Sequence, residues 1–387
     1  MLEQQGRRTG AGSRPVGELP SLDVLVAATP ATRDRVVDFL RAASIGVVVL
    51  WHWSLSITHW NGNELVMPNP IDYLPGTWAA TWVLQVMPVF FFVGGYANLA
   101  GWEAITRDGG GAARFLGARM RRLLLPLLPF LAVWLVFDLA VQATGRRSVL
   151  DWGIVVFVPL WFIGVYAAVV AAVPITARLH RAWGWRVPLI LAAAVLAADV
   201  LRLGPGWGGA APGLVGSACV WLFCHQLGYF WRDGTLAAGG WPRAAAVAAA
   251  GFAALIILTT LGPYPHSMVA MRGDDTSNMF PTTAAIVALA TFQLGLVMLV
   301  RSGLNAWLQQ RGPWRAVVGA NGVTMPVFIW HMTALVAFLW LYERAGFTLS
   351  SEPTTEWWLS RGVWIVGPGL LLAGLLAALS RLRRAAK

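Results

Sequence analysis

Charge is what this sequence has least of. Of its 387 residues only 12% are Asp, Glu, Lys or Arg, about half the share of an ordinary soluble domain. Hydrophobic residues make up 57%. A water-soluble fold of this size needs a polar exterior, which the chain cannot supply; a lipid exterior removes that need. Lysine is nearly absent, with Lys387 standing alone against 28 arginines. Cysteine is down to Cys219 and Cys224, five apart in an apolar segment. That spacing suits neither a metal site nor a disulfide framework, so both read as packing residues. An N-terminal apolar run of signal-peptide type is also missing. Residues 1–33 are rich in Gly, Ser, Pro and Arg and read as a disordered cytosolic tail. No repeat of the inverted-transporter kind is visible, and no segment reads as an attached soluble domain.

The net charge of +11 would suit nucleic acid if it formed one patch. Instead the arginines recur in short stretches between apolar segments, the pattern of membrane topology, and nucleic acid is excluded as a partner. Ten segments approach the ~20 residues that a bilayer demands. They are 38–58, 80–100, 123–143, 153–176, 187–203, 213–231, 244–262, 282–301, 316–339 and 362–380. Backbone groups inside lipid must be satisfied within the segment, so the expected fold is all-α, a bundle of about ten transmembrane helices over 34–380. A short basic tail, 381–387, follows. The fifth segment is the shortest and carries Asp199 and Arg202.

With ten spans the basic residues split 23 to 6 between the two sides. That puts both termini in the cytosol and the bilayer, expected to be the plasma membrane, between them. Trp60, Trp78, Trp152, Trp207, Trp340 and Trp357 fall near span ends, where amphipathic rings favour the interface. The opposite side is acidic, with Glu64, Asp72, Asp151, Asp274, Asp275, Glu343, Glu352 and Glu356. These read as a solvated rim rather than as acceptor ligands. The loop 263–281 on that side is long and rich in turn formers. It is either an ordinary polar loop or a cap that selects what enters.

Ionisable groups within spans are costly and therefore functional suspects. The first span carries Arg41 and His52. Eleven residues at ~100° each close about three turns, so both project from nearly one face, roughly 16 Å apart along the axis. Asp38, at i−3, is positioned to pair with Arg41. His225 reads as a helix–helix hydrogen-bonding group, and Asp138 and Asp199 as interhelical or interfacial contacts. For His331, packing and a place in a reactive pocket both stay open. His59, His180 and His266 fall in loops or at span ends and carry little signal.

Five stretches in order resemble the membrane acyltransferase type 3 family. They are Arg41 with ten residues before His52, Met87-Pro88-Val89-Phe90-Phe91-Phe92-Val93-Gly94-Gly95, the arginine-rich turn of Arg119, Arg121 and Arg122 before Pro126, Leu160-Trp161-Phe162-Ile163, and Val327-Phe328-Ile329-Trp330-His331. Gly94 departs from the family pattern, which commonly has Ser there. The resemblance covers about residues 33–380. It implies an O-acyltransferase that moves an acyl group, usually acetyl, from cytosolic acyl-CoA to a hydroxyl of a sugar, glycan or other acceptor, in the standalone form without a fused esterase-like domain. No permanently bound cofactor or metal is expected; acyl-CoA serves as donor substrate.

Transfer from a thioester to a hydroxyl needs a base and oxyanion stabilisation. His52, with Arg41, is the expected catalytic pair, acting as base or as acyl carrier. Arg41, Arg121 and Arg122 are expected to grip the CoA phosphates, since guanidinium forks bind phosphate bidentately. His331 and Trp161 are the expected substrate-binding residues. The rival reading is a secondary transporter or exporter of a small polar molecule, which would share the helix count and buried charges.

Overall fold

The computed structural model describes residues 21–30, 32–204, 210–271 and 276–385. Residues 1–20, Trp207, Arg272, Asp274, Asp275 and Lys387 lie outside the described residues. The chain opens with α1 (Leu22–Ala27) and the long α2 (Arg35–Ser54), then a hairpin of β1 (His59–Asn61) and β2 (Glu64–Val66). Next come α3 (Thr81–Leu84), α4 (Met87–Arg107), α5 (Ala112–Leu124), α6 (Leu127–Ala143), α7 (Val149–Trp152) and α8 (Val158–Ala171). Then follow α9 (Val173–Trp183), α10 (Arg186–Leu203), α11 (Ala210–Arg232) and α12 (Gly240–Thr260). The last four are α13 (Ala284–Leu308), α14 (Arg311–Arg344), α15 (Thr355–Leu359) and α16 (Arg361–Ala385).

The protein is a multi-pass helical bundle. Among the described residues eight helices are long and apolar enough to span a bilayer, and α5 with α6, bent by 41°, makes a ninth. The one remaining expected span, the fifth, 187–203, forms α10. It carries Arg186, Asp199 and Arg202, and charge, not length, separates it from the others. Asp199 accounts for its place, accepting from Tyr264 Oη at 3.1 Å and from the Ala284 amide at 2.8 Å. The bend between α5 and α6 falls at Pro126, which has no amide to donate and whose ring crowds the preceding turn. The arginine-rich stretch expected as a turn is therefore a helix of its own, α5. Within the expected tail the described residues form α1: Ser21 caps it, and Thr29 accepts from Trp314 Nε1 at 3.0 Å.

Without water to drive apolar faces together, membrane helices associate where small residues let backbones approach. A Cβ on Gly95 of α4 would overlap the His225 carbonyl oxygen on α11, and one on Gly228 would overlap the Phe92 carbonyl. Gly251 and Gly295 seat α12 against α13 in the same way. Large apolar side chains such as Val136 and Leu139 on α6 stay exposed, as a lipid-facing surface requires. Trp60 and Trp340 are exposed near helix ends, as expected of interfacial rings, but Trp357 is buried under Arg361.

The register of α2 is fixed at its start. Asp34 accepts from the Val36 and Val37 amides, capping the helix. It also accepts from Trp231 Nε1 on α11 and pairs with Arg301 on α13, each at 3.0 Å. Three helices are thus pinned at one carboxylate, seven residues before Arg41.

Candidate active site

At the far end of α2 the His52 ring meets His331 of α14, with His52 Nδ1 2.9 Å from His331 Nε2. Their planes are parallel to within 4° at a centroid separation of 5.1 Å. With two nitrogens that close, this is the in-plane geometry of a hydrogen bond rather than face-to-face stacking. The proton positions follow from the neighbours. His331 Nδ1 lies 2.7 Å from the Phe328 carbonyl, which can only accept, so this nitrogen carries hydrogen. In the neutral ring His331 Nε2 then accepts, and His52 Nδ1 donates to it. The lone pair of His52 is left on Nε2. Trp53 Nε1 donates to the His331 carbonyl at 3.1 Å and holds the two helices in register.

Two cavities approach this pair from opposite ends of the bundle. The first, of about 320 Å³, is lined by His52, Trp51, Asn69, Gln85, Trp161 and Phe280 among others. Residues 269–270 and 279–280 contribute to its wall, so the long loop packs into the mouth of the bundle. Asn278 ties the loop's two limbs by donating to the Pro265 and Ser267 carbonyls. The second cavity, of about 300 Å³, is lined by Arg41, Arg119, Arg122, Asn98, Tyr166 and Asn321 among others. The rings of Phe162 and Phe328 line both cavities and meet edge to face at 5.2 Å. The face shared by Arg41 and His52 thus serves one cavity at each end.

The arginine end is unbalanced in charge. Arg41 donates from Nε and Nη2 to Asn321 Oδ1 at 2.9 and 2.7 Å, and from Nη2 to Asp38 at 3.2 Å. Arg33 shares the same Asp38 carboxylate, and that hydrogen bond raises its proton affinity above the usual arginine range. Arg119 donates to the neutral Ala97 carbonyl at 2.8 Å. The second cavity therefore has three guanidinium groups in its lining, Arg41, Arg119 and Arg122, and, among the described residues, no carboxylate.

The residues expected to grip the CoA phosphates were Arg41, Arg121 and Arg122, without Arg119. On α5, however, Arg119 and Arg122 are three apart and share a face, while Arg121 is turned away. It lines a separate shallow hollow with Ala118, Leu125 and Pro126, which Arg122 borders as well, and it does not line the second cavity. Helical periodicity alone would have made that choice. His331 was expected against substrate; it is fully buried and reaches the first cavity only through His52. Trp161 does line that cavity, packed against Phe280 at 5.0 Å.

Other polar residues have structural partners. Asn98 donates to Tyr166 Oη and His225 Nε2, both at 3.1 Å, which makes His225 the interhelical group expected of it. Gly94 stands against Tyr166: a Cβ there would come within 2.9 Å of the phenol oxygen, so the departure from Ser makes room for that ring. His180 carries more than its position implied. It is buried between Asp233 at 3.1 Å and Gln226 at 2.8 Å, lining neither cavity. Asp138 accepts from Ser148 and the Val149 amide, closing the α6–α7 connection. Asn98 and Asn321 were not singled out, because an uncharged amide in an apolar segment looks like any interhelical contact.

A family model described as an acyltransferase domain matches residues 34–383. Comparison with curated proteins and with solved structures gives no match.

Proposed function

Because the chain belongs to the acyltransferase type 3 family, we propose that it takes an acyl group from acyl-CoA at its Arg41 end and passes it to a hydroxyl arriving at His52 from the other. That it is a membrane acyltransferase follows from the family and the apolar helices. The donor, the acetyl group and the direction are this proposal. The observation that carries it is the pair of cavities meeting at Phe162 and Phe328, with excess guanidinium charge in one and an imidazole lone pair in the other.

Arg41, Arg119 and Arg122 suit the phosphates of CoA, since guanidinium forks bind phosphate bidentately and are not deprotonated. The pantetheine arm then runs along the apolar part of the second cavity, with the thioester beyond Phe90 and Phe162. The acceptor hydroxyl gives its proton to His52 Nε2 as its oxygen attacks the acyl carbon. The carbon–sulfur bond breaks, and the proton returns to the departing thiolate, giving an ester and free CoA. His331 holds the base in the productive tautomer and stabilises the imidazolium while it lasts. The arginine-rich end would face the cytosol of a plasma membrane, as the 23-to-6 split of basic residues favours.

Binding of acetyl-CoA to purified protein tests the donor half. A hydrogen bond to a charged group contributes about 1.5–3 kcal/mol, so Arg41→Ala and Arg122→Ala should each weaken binding about ten- to hundredfold. Arg41→Lys keeps the charge but loses the fork and should also bind less well. Arg121→Ala should bind as the parent does. Unchanged affinity in both alanine variants would overturn the donor assignment.

A further inference from the structure

The cavity at His52 also bears on what kind of molecule brings the hydroxyl. Its wall is made chiefly by apolar side chains, among them Val47, Val48, Met87, Val155, Pro159 and Met332. Most of the polar groups in the wall are already engaged. Trp51 Nε1 donates to Asn69 Oδ1 at 2.9 Å, and Asn69 Nδ2 donates to the Ala270 carbonyl at 3.0 Å. Gln85 is held at both ends, accepting from the Met87 amide at 3.2 Å and donating to the Met268 carbonyl at 3.5 Å. Among the described residues this leaves His52 Nε2, Ser56 and the Trp161 indole N–H to meet an incoming hydroxyl.

Such a wall can serve one hydroxyl well and several badly. A sugar ring carries a hydroxyl on most of its carbons, and each one buried without a partner costs roughly ten- to hundredfold in affinity. The rim agrees with the wall. Leu84, Val158 and Phe280 line the cavity and are 37%, 39% and 57% exposed, and Val83 and Ile154 stand out beside them in sequence. An opening framed by exposed apolar side chains on a membrane protein faces acyl chains rather than water.

We infer that the acceptor is a lipophilic alcohol, with one reactive hydroxyl on a largely apolar body, that reaches His52 sideways from the bilayer. This rests on the reading of His52 as the base. The ester then forms on that hydroxyl, and its proton leaves with CoA as the thiol. A cavity of about 320 Å³ stands at the lower end of small-molecule sites, enough for a compact ring system or a short chain.

The test uses the full chain in liposomes with radiolabelled acetyl-CoA and four acceptor probes: octan-1-ol, geraniol, glycerol and methyl glucoside. Ester formation and CoA release are both measured. The two lipophilic alcohols should be esterified with kcat/KM at least about tenfold above methyl glucoside. Val158→Asn should raise KM for octan-1-ol about tenfold while acetyl-CoA binding, which reports an intact bundle, stays unchanged. Glycerol or methyl glucoside acylated as well as the lipophilic alcohols would overturn the acceptor inference and leave the donor reading standing. Acetyl-CoA bound without esterification of octan-1-ol or geraniol would do the same. Failure to bind acetyl-CoA at all would overturn both.

Discussion

The His52–His331 pair makes a quantitative prediction about two residues that look alike in sequence. In the proposed mechanism His331 lines neither cavity and acts by accepting the His52 Nδ1 hydrogen at 2.9 Å, its own orientation set by the Phe328 carbonyl at 2.7 Å. A neutral hydrogen bond of this kind contributes about 0.5–1.5 kcal/mol net, and a buried donor left unpaired costs about 1–3 kcal/mol. His331→Leu should therefore lower kcat by about five- to a hundredfold, leaving acyl-CoA affinity unchanged. His52→Gln removes the base itself and should lower kcat by about 10²- to 10⁴-fold. Because the first acts through the second, the double variant should be no slower than His52→Gln alone. His331→Gln, whose side-chain carbonyl can accept the same hydrogen, should recover part of the loss. The assay is initial-rate acyl transfer in liposomes at matched protein abundance. Nitrogen-15 NMR of labelled histidine should find His52 protonated on Nδ1 in the parent, with that preference lost in His331→Leu. Multiplicative rate losses in the double variant would refute the relay, and so would substantial activity in His52→Gln.

Two further outcomes are expected. Cysteine placed at Ser277 should react with an impermeant thiol reagent in intact cells, and cysteine at Ser302 should not; the reverse pattern would invert the topology. Gly228→Leu should lower folded-protein abundance sharply, because its side chain would drive into the Phe92 carbonyl and the Tyr96 amide of α4. The same change at Gly303, where nothing lies within 4 Å of an added Cβ, should leave abundance unaltered, as gel filtration of detergent extracts would show.

What the sequence disclosed is what periodicity and composition carry. The bundle followed from hydropathy, and the shared face of Arg41 and His52 from an eleven-residue spacing on one helix. Contacts between helices followed no such rule. His52 and His331 are 279 residues apart, as Arg41 and Asn321 are 280, and no local pattern encodes those meetings. Arg119 and Arg122 share a face that Arg121 does not, which a helix over 112–124 makes visible and a turn does not. Thr29 and Asp23, beside and within α1, find Trp314 and Arg311 on α14, partners that composition cannot see. α10 tolerates its charges because Asp199 is buried against Tyr264 and the start of α13.

The edge-to-face contact of Phe162 with Phe328 has an electrical consequence. A duct open at both ends, with arginines at one and a histidine at the other, would pass water and ions and discharge the membrane. Two half-ducts separated by a pair of aromatic rings would not. In the proposed reaction an acyl group is exchanged across that barrier for the proton that His52 returns to the thiolate, so no net charge crosses. The membrane voltage then does no work on the transfer, and the free energy comes from the thioester alone.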